Sequence, residues 1–206
     1  MEIELKYLID GGEKAEMIFA DKTVISMIDK DEETMNMDAV YFDTADMSLT
    51  EQGIAFRIRK EGSSYIGTLK WNGSSENGMH KRQEINVPVS DDAAGTPDLN
   101  IFSQSEMSDV LEAIVGTREM RPIMEMDFVR RKARLDTGRS ICEMSVDMGE
   151  VRAGGKKIPI SELEIELFSG NEEDIIKIGE ELSEKYGLKP ENKSKFQRGY
   201  ELIVQK

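Results

Sequence analysis

The sequence is short of the residues that build disulfide frameworks and histidine-based sites. It contains one cysteine, Cys142, and one histidine, His80, in 206 residues. A single cysteine excludes an internal disulfide, so the fold must be held together by its core. We expect Cys142 to be buried in that core, and His80, which precedes a predicted strand, to have a surface or loop role.

Long hydrophobic runs and an excess of basic charge are also absent. No stretch approaches the roughly 20 apolar residues that a membrane helix needs, and charged residues begin at Glu2, unlike a signal peptide. The 27 basic residues are outnumbered by 41 acidic ones, which gives a net charge of -14. Duplex nucleic acid and anionic membranes both select for basic patches, so neither is an expected partner. We expect a soluble, cytoplasmic protein.

Aromatic residues are scarce, whereas charged residues are abundant. Aromatic side chains make up 6% of the chain and charged ones 33%, beside a hydrophobic content of 38%. This composition can build one core, and 206 residues are enough to close a barrel of about eight short strands. Part of the charge is therefore expected inside the domain.

The beginning of the chain indicates how charge is placed inside. Glu2, Glu4 and Lys6 alternate with apolar residues, so a strand here has one ionic and one apolar face. A single strand of this kind indicates no more than a solvated face. The pattern recurs, however, with two arginines in Gly53–Lys60 and three carboxylates in Ser161–Leu167. Acidic strands thus lie at both ends of the chain, with basic ones between them.

Periodicity assigns the remaining elements. Further strands are predicted over Val40–Asp43, Gly53–Lys60, Tyr65–Trp71, His80–Val89, Ile123–Leu135, Ser140–Asp147 and Pro159–Phe168, with a last strand between Asn192 and Ile203. Helices are predicted over Glu13–Ala20, Met107–Ile114 and Glu172–Lys185. Strands that pack their apolar faces against helices turn their charged faces inward, which favours a closed antiparallel barrel with a charged lumen.

The predicted lumen is balanced in charge. Its acids are Glu2, Glu4, Glu84, Asp147, Glu162, Glu164 and Glu166, and its bases are Lys6, Arg57, Arg59, Lys70, Arg82, Arg130 and Lys195. Clustered carboxylates suit Mg²⁺ or Mn²⁺, and guanidinium groups bind phosphate oxygens in pairs. Carboxylates packed without a metal would raise one another's pKa, and arginines without an anion would be unpaired. The pattern therefore predicts a polyphosphate bound with divalent cations.

An ordered set of motifs runs along the whole chain. It begins with Glu-x-Glu-x-Lys at residues 2–6 and continues through Tyr41–Thr44, Gly53–Arg59, Thr68–Lys70, Arg82–Glu84, Asp127–Arg130, Val146–Glu150, Glu162–Leu167, Ser194–Lys195 and Arg198–Tyr200. Together these motifs resemble the CYTH superfamily, the triphosphate tunnel metalloenzymes. The stretches His80–Val87, Asp127–Arg130 and Ser194–Tyr200 look most like its bacterial inorganic triphosphatase branch.

The resemblance implies a fold and a set of roles. It implies one α+β domain over residues 1–206, a closed eight-stranded antiparallel tunnel with helices packed outside. The implied substrate-binding residues are Lys6, Arg57, Arg59, Lys70, Arg82, Arg130 and Lys195. The implied metal group is Glu2, Glu4, Asp147, Glu164 and Glu166, with the ligand pair left open between Glu162 with Glu164 and Glu164 with Glu166. Catalytic roles fall on Glu4, Glu164 and Lys6.

The expected activity is metal-dependent hydrolysis of inorganic tripolyphosphate to pyrophosphate and phosphate, with Mg²⁺ or Mn²⁺ as cofactor. A nearly all-ionic lumen suits a substrate that is phosphate from end to end. The alternatives are a thiamine or nucleoside triphosphatase, an adenylyl cyclase of the same superfamily, and a non-catalytic polyphosphate-binding module. The expected partner is thus a small-molecule triphosphate, and a homodimer is left open.

Overall fold

Eight strands form the centre of the computed structural model, which describes residues 1–93 and 95–204. They are β1 (Glu2–Leu8), β2 (Glu33–Thr44), β3 (Ala55–Glu61), β4 (Ser64–Glu76), β5 (Met79–Val89), β6 (Met120–Asp136), β7 (Ile141–Ala153) and β8 (Lys156–Ser169). They pair in the order β5-β4-β3-β2-β6-β7-β8-β1, and β1 also pairs with β5, which closes the barrel. A two-residue strand, β9 (Lys189–Pro190), pairs with β1. The predicted closed antiparallel barrel is confirmed.

Six α-helices accompany the barrel in the described residues. They are α1 (Gly11–Phe19), α2 (Lys22–Met27), α3 (Ser48–Glu51), α4 (Ser108–Val115), α5 (Glu172–Tyr186) and α6 (Lys195–Val204). Residues of α1, α2 and α5 share one apolar cluster with β1, β6, β7 and β8. Residues of α3 and α4 share another with β2, β3 and β4. Among these helices, none is long and apolar enough to cross a membrane.

The two apolar clusters turn the charged faces of the strands inward. In β1, Leu5 and Tyr7 contribute to the first cluster, and in β3, Phe56 and Ile58 contribute to the second. Because successive side chains of a strand point to opposite faces, the charged residues between them face the lumen. The predicted inward orientation of the charges is confirmed.

The strand register brings opposite charges together in the lumen. Lys6 lies opposite Glu164 across β1 and β8, Arg130 opposite Asp147 across β6 and β7, and Glu2 opposite Arg82 across β1 and β5. Directly opposite residues in antiparallel strands share a face with their Cβ atoms about 5 Å apart. The register thereby converts the alternating sequence into a network of buried ion pairs.

The predicted last strand between Asn192 and Ile203 is wrong, because this segment contains α6. Phe196, Tyr200 and Ile203 recur at spacings of four and three residues, which places them on one face of a helix. They pack in a third cluster with Tyr41 and the Met124–Phe128 segment of β6. Tyr41 lies opposite Arg57 in the β2–β3 register and therefore faces the lumen. Unlike the other helices, α6 packs on the lumen side, at one end of the barrel.

A glycine allows α6 to approach the strands closely. A Cβ atom at Gly199 would lie 2.4 Å from Sδ of Met124 and 2.8 Å from Cγ1 of Val151. Contacts this short do not occur between real side chains, so a larger residue would have to displace Met124 and Val151 or move the helix away from β6 and β7. Gly199 thus sets the depth at which α6 is seated, and with it the positions of Lys195 and Arg198.

Candidate active site

The barrel encloses a cavity of about 500 Å³ that collects the predicted site residues. Twelve of the fourteen line it: Glu2, Glu4, Lys6, Arg57, Arg59, Lys70, Arg82, Glu84, Arg130, Glu164, Glu166 and Lys195. The other two, Asp147 and Glu162, are fully buried and contact Lys195. The structure therefore brings all of the candidates into one connected site.

The expectation that the lumen is nearly all ionic is wrong. Half of the lining is uncharged, and it comprises Tyr41, Thr50, Gly53, Ile54, Ala55, Trp71, Gly73, Phe128, Ser194, Phe196, Gln197 and Tyr200. Four of these residues come from α6 and the loop before it, where strand alternation gives no guidance. The helical spacing of Phe196 and Tyr200 was the signal that could have revealed them.

Three carboxylates from β7 and β8 form a compact acidic group. Oxygens of Asp147, Glu162 and Glu164 lie within 4.8 Å of one another. The ammonium group of Lys195 sits among them, with Nζ 2.7 Å from Asp147 Oδ2 and 2.9 Å from Glu164 Oε1, and it also contacts Glu162. Lys195, which the sequence analysis assigned to substrate binding, is thus the central cation of a buried cluster of ion pairs.

Further cations neutralise the same group. Arg130 donates two hydrogen bonds of 2.7 Å to Asp147 and a third of 2.7 Å to Glu164. Lys6 Nζ donates to Glu164 at 2.6 Å and lies 3.5 Å from Glu162. Burial alone would raise the pKa values of Asp147 and Glu164, but these cations outweigh it and hold both pKa values below their usual range. This acidic group already has its countercharge in the protein.

In a second acidic group, Glu2, Glu4 and Glu166, the first two are paired with cations and only Glu166 is not. Glu2 lies 2.8 Å from Lys70 Nζ, and Glu4 lies 2.9 Å from Arg82 Nη2. Glu166, directly opposite Glu4 in the register, has no ion pair with any described residue. Burial and the charges of Glu2 and Glu4 raise the pKa of Glu166 to about 7. A divalent cation bound here would relieve this repulsion.

Arg57 has no ion pair with a carboxylate in the described residues, and Arg59 pairs with one carboxylate, Glu61, at the end of β3. Arg57 Nη1 donates to Tyr41 Oη at 3.3 Å, and its buried Nε has no hydrogen-bond partner in the described part of the chain. Arg59 Nε donates at 2.6 Å to Glu61, the last residue of β3, which does not line the cavity. Burial and the charge of Arg57 lower the pKa of Arg59 to about 10. The side of the cavity that Arg57 and Arg59 form therefore offers hydrogen-bond donors and positive charge to an anion.

His80 is buried, so the expectation of a surface or loop role is wrong. Only 5% of the residue is exposed to solvent, and its Nε2 atom lies 2.7 Å from the carbonyl oxygen of Glu191. Burial and the charge of Lys6 lower the pKa of His80. Asn192, the next residue along this loop, accepts a 2.8 Å hydrogen bond from the backbone N–H of Gly78. His80 and Gly78 hold the loop that leads into α6.

Comparisons with known proteins agree with this geometry. A family model for the CYTH domain matches residues 1–200. An inorganic triphosphatase of Haemophilus influenzae is 31% identical over 205 residues, which cover 97% of this chain and 54% of that protein. The chain thus spans about half the length of this curated relative.

Solved structures show the same fold at low sequence identity. A Hippeastrum protein, described as a candidate adenylyl cyclase with a dominant triphosphatase activity, has a TM-score of 0.70 at 20% identity, with 95% of this chain and 93% of that chain covered. A candidate adenylate cyclase of Bacillus halodurans has a TM-score of 0.61 at 22% identity, with 96% of each chain covered. CYTH tunnel enzymes are metal-dependent, and the buried carboxylates described above fit that property. Because the family model matches nearly the whole length of the chain, the chain belongs to the CYTH domain family.

Proposed function

We propose that this chain hydrolyses inorganic tripolyphosphate to pyrophosphate and phosphate in a metal-dependent reaction. The observation that carries the proposal is a pair of uncompensated charges in one cavity. Arg57 lacks a carboxylate partner, and Glu166 lacks a cation partner, in the described residues. A polyanion bound with divalent cations would satisfy both at once. The similarity to an inorganic triphosphatase supports the same choice of substrate.

Arg57, Arg59, Lys70 and Arg82 are suited to hold the phosphate chain. Their side chains line the cavity, and guanidinium groups donate to phosphate oxygens in pairs. Burial and, after it, the charges of Arg82 and Arg57 lower the pKa of Lys70 although it contacts Glu2 and Glu84, so the neighbouring arginines add positive charge that a phosphate would meet here. Phosphoryl transfer depends mainly on alignment and charge stabilisation, and a rigid β-barrel wall provides both.

Lys6, Arg130 and Lys195 complete the binding surface from the other side of the lumen. All three line the cavity, and all three are fixed by ion pairs with Glu164. Lys6 also lies 3.4 Å from Glu4, so it holds two of the carboxylates assigned to catalysis. In this arrangement Glu4 or Glu164 would accept the proton of the attacking water, while Lys6 keeps both side chains in place.

The carboxylate oxygens fit Mg²⁺ or Mn²⁺, since both prefer hard oxygen ligands. We assign the metal group to Glu2, Glu4, Glu164 and Glu166, because these four line the cavity, whereas Asp147 and Glu162 are fully buried beside Lys195 and do not line it. Between the two ligand pairs considered from the sequence, this favours Glu164 with Glu166. When bound, the metal would neutralise phosphate charge and lower the pKa of the attacking water.

An organic triphosphate is a second candidate substrate. The uncharged half of the cavity, with Ile54, Trp71 and Tyr200 among its residues, provides the apolar and aromatic surface that tripolyphosphate does not need. A nucleoside or thiamine group attached to the triphosphate would find contacts there.

A side-by-side assay separates the two candidates. We expect kcat/KM for tripolyphosphate to exceed that for ATP and thiamine triphosphate by at least about tenfold, or roughly 1.4 kcal/mol. Phosphate release should require Mg²⁺ or Mn²⁺, and no cyclic AMP should form from ATP. A higher kcat/KM for an organic triphosphate would reverse the choice of substrate. Turnover that persists after complete metal removal would contradict the metal dependence.

Removing Arg57 tests the phosphate-binding wall. We expect Arg57→Ala to lower kcat/KM for tripolyphosphate by at least about tenfold, because a charge-assisted hydrogen bond to the substrate is lost. Arg121→Ala is the matched control, since this exposed arginine donates, within the described part of the chain, only to the carbonyl oxygen of Ala45. Equal kcat/KM values for the two variants would exclude Arg57 from substrate binding.

A further inference from the structure

The segment that joins β9 to α6 crosses the seam where the barrel closes. β5 begins at Met79, directly opposite Leu5, so the rest of β1 has to find another neighbour. That neighbour is β9, and beyond it the backbone N–H of Glu191 donates to the carbonyl oxygen of Lys6 at 3.0 Å. The chain that leads into α6 therefore lies beside β1 in the place that β5 leaves open.

The hairpin of β4 and β5 holds the same segment from its other side. Ser75 Oγ donates to the carbonyl oxygen of Asn192 at 2.7 Å, and the backbone N–H of Gly78 donates to Asn192 Oδ1 at 2.8 Å. His80 Nε2 lies 2.7 Å from the carbonyl oxygen of Glu191. Because a carbonyl oxygen only accepts hydrogen bonds, His80 is the donor and its proton is on Nε2.

His80 acts on the site at one remove. It lies opposite Glu4 in the β1–β5 register, yet among the described residues it is not part of the cavity lining. Burial and the charge of Lys6 lower the pKa of His80, so the ring is neutral at neutral pH. A neutral donor can hold the carbonyl group of Glu191 without adding to the positive charge of Lys6. Its function is therefore to be sought in the segment that it holds.

That segment ends at Lys195, which meets Lys6 at one carboxylate oxygen. Lys195 Nζ lies 2.9 Å and Lys6 Nζ 2.6 Å from Glu164 Oε1. The backbone of Lys6 is also bonded to Glu191, shortly before Lys195 in the chain. The two lysines are thus connected both through their side chains and through the held segment. This double connection fixes the positions of two ammonium groups that line the cavity.

We propose that His80 is a positioning residue for substrate binding, which holds Glu191 so that Lys195 and Lys6 present their ammonium groups together to one phosphate group. The inference rests on the proposed function, because it takes the anion in the cavity to be a triphosphate. It gives a role to the single histidine, which the sequence analysis placed at the surface.

The first test compares two replacements of His80 that differ in one property. Glutamine keeps an N–H donor on a side chain long enough to reach Glu191, whereas leucine has a similar volume and no donor. With Mg²⁺ and tripolyphosphate, His80→Leu should lower kcat/KM at least about tenfold, mainly through KM, because a binding group is displaced. His80→Gln should stay within about threefold of the wild type.

Tyr186→Phe is the control for the loss of a ring-borne donor. The Tyr186 hydroxyl donates to the carbonyl oxygen of Met17 and to Asp21, at the end of α5 and away from the cavity. This variant should keep the kcat/KM of the wild type even where its melting temperature falls. Equal kcat/KM values for His80→Leu and Tyr186→Phe would overturn the role of His80.

A double-variant cycle tests whether His80 acts through Lys195. Lys195→Met removes the ammonium group and keeps an unbranched side chain. In that background His80→Leu should lower kcat/KM by less than about twofold, because the group that it displaces is already absent. A further tenfold loss would show that His80 acts independently of Lys195 and would overturn the proposal.

Hydrogen exchange provides a readout that needs neither turnover nor the Lys195 variant. In His80→Leu the backbone N–H of Glu191 should exchange at least about tenfold faster than in the wild type and in His80→Gln, while amides of β7 keep their rates. An unchanged rate at Glu191 would contradict the holding role. Equally faster exchange throughout β7 would show general destabilisation and would contradict it too.

The outcomes separate this inference from the proposed function. A wild type that hydrolyses tripolyphosphate beside an unimpaired His80→Leu would overturn the role of His80 and leave the function standing. A wild type that neither binds nor hydrolyses tripolyphosphate would overturn both.

Discussion

Glu166→Gln is expected to lower metal-dependent kcat/KM for tripolyphosphate by at least about 100-fold and to leave the protein as stable as the wild type or more so. The carboxylate lines the cavity without an ion pair in the described residues, and its pKa is raised to about 7 by burial and by Glu2 and Glu4. Neutralising it breaks no ion pair and removes repulsion, so the metal-free fold should not suffer. Losing a ligand charge should weaken metal binding and the charge stabilisation that the metal supplies.

The measurement has two parts, kcat/KM across a range of Mg²⁺ concentrations and thermal unfolding in EDTA. Glu150→Gln is the control, because this acid of β7 lies on the outside and pairs with Arg152 and Lys157 at 2.9 and 3.0 Å. Exposed pairs of this kind contribute about 0–1 kcal/mol, so the control should resemble the wild type in both measurements. Normal turnover of Glu166→Gln at limiting Mg²⁺ would remove Glu166 from the metal group.

Alternation along the strands was sufficient to predict which side chains face the lumen. Each of Glu4, Arg57 and Glu164 lies between apolar neighbours that pack under helices, and a period of two leaves them only the inner face. The prediction succeeds because a single strand register places the apolar side chains in the core and the charged side chains in the lumen. The inward-facing charges also favoured a closed barrel, and the resemblance to a family implied eight strands, but no local pattern shows that β1 pairs with β5.

The C-terminal segment shows where local pattern failed. Residues 192–203 mix polar and apolar residues over a short length, which fits a strand or a helix almost equally. The structure forms α6 because Phe196, Tyr200 and Ile203 together reach one apolar patch at the end of the barrel. That patch is assembled from β2, β6, β7 and β8, which are far apart in sequence. The aromatic part of the cavity was missed for the same reason.

The roles of Glu162 and Glu166 could not be separated from the sequence, because both face the lumen on the same strand. Only the surroundings distinguish them. Glu162 lies near the N-terminus of α6 and contacts Lys195 and Arg198, whereas Glu166 lies opposite Glu4. Long-range placement of the cations, and not strand alternation, decides which carboxylate is available to a metal.

Glu162→Gln is expected to have the opposite effect from Glu166→Gln, namely a large loss of stability in metal-free protein. Glu162 is fully buried, lies 3.5 Å from Lys6 Nζ, and contacts both Lys195 and Arg198. It is the only carboxylate paired with Arg198 in the described residues. A glutamine would keep the shape but leave that guanidinium group buried without a counterion. Breaking a buried ion pair from one side typically costs about 3–5 kcal/mol.

Thermal unfolding in EDTA provides the measurement. For a chain of this size, a loss of about 3 kcal/mol corresponds to a fall in melting temperature of roughly 6–12 °C. Glu150→Gln again serves as the control and should change the melting temperature by little. If Glu162 were a metal ligand, its replacement would instead leave the melting temperature in EDTA near that of the wild type and weaken the activation by Mg²⁺. That result would move the metal site to Asp147, Glu162 and Glu164, the three carboxylates that surround Lys195.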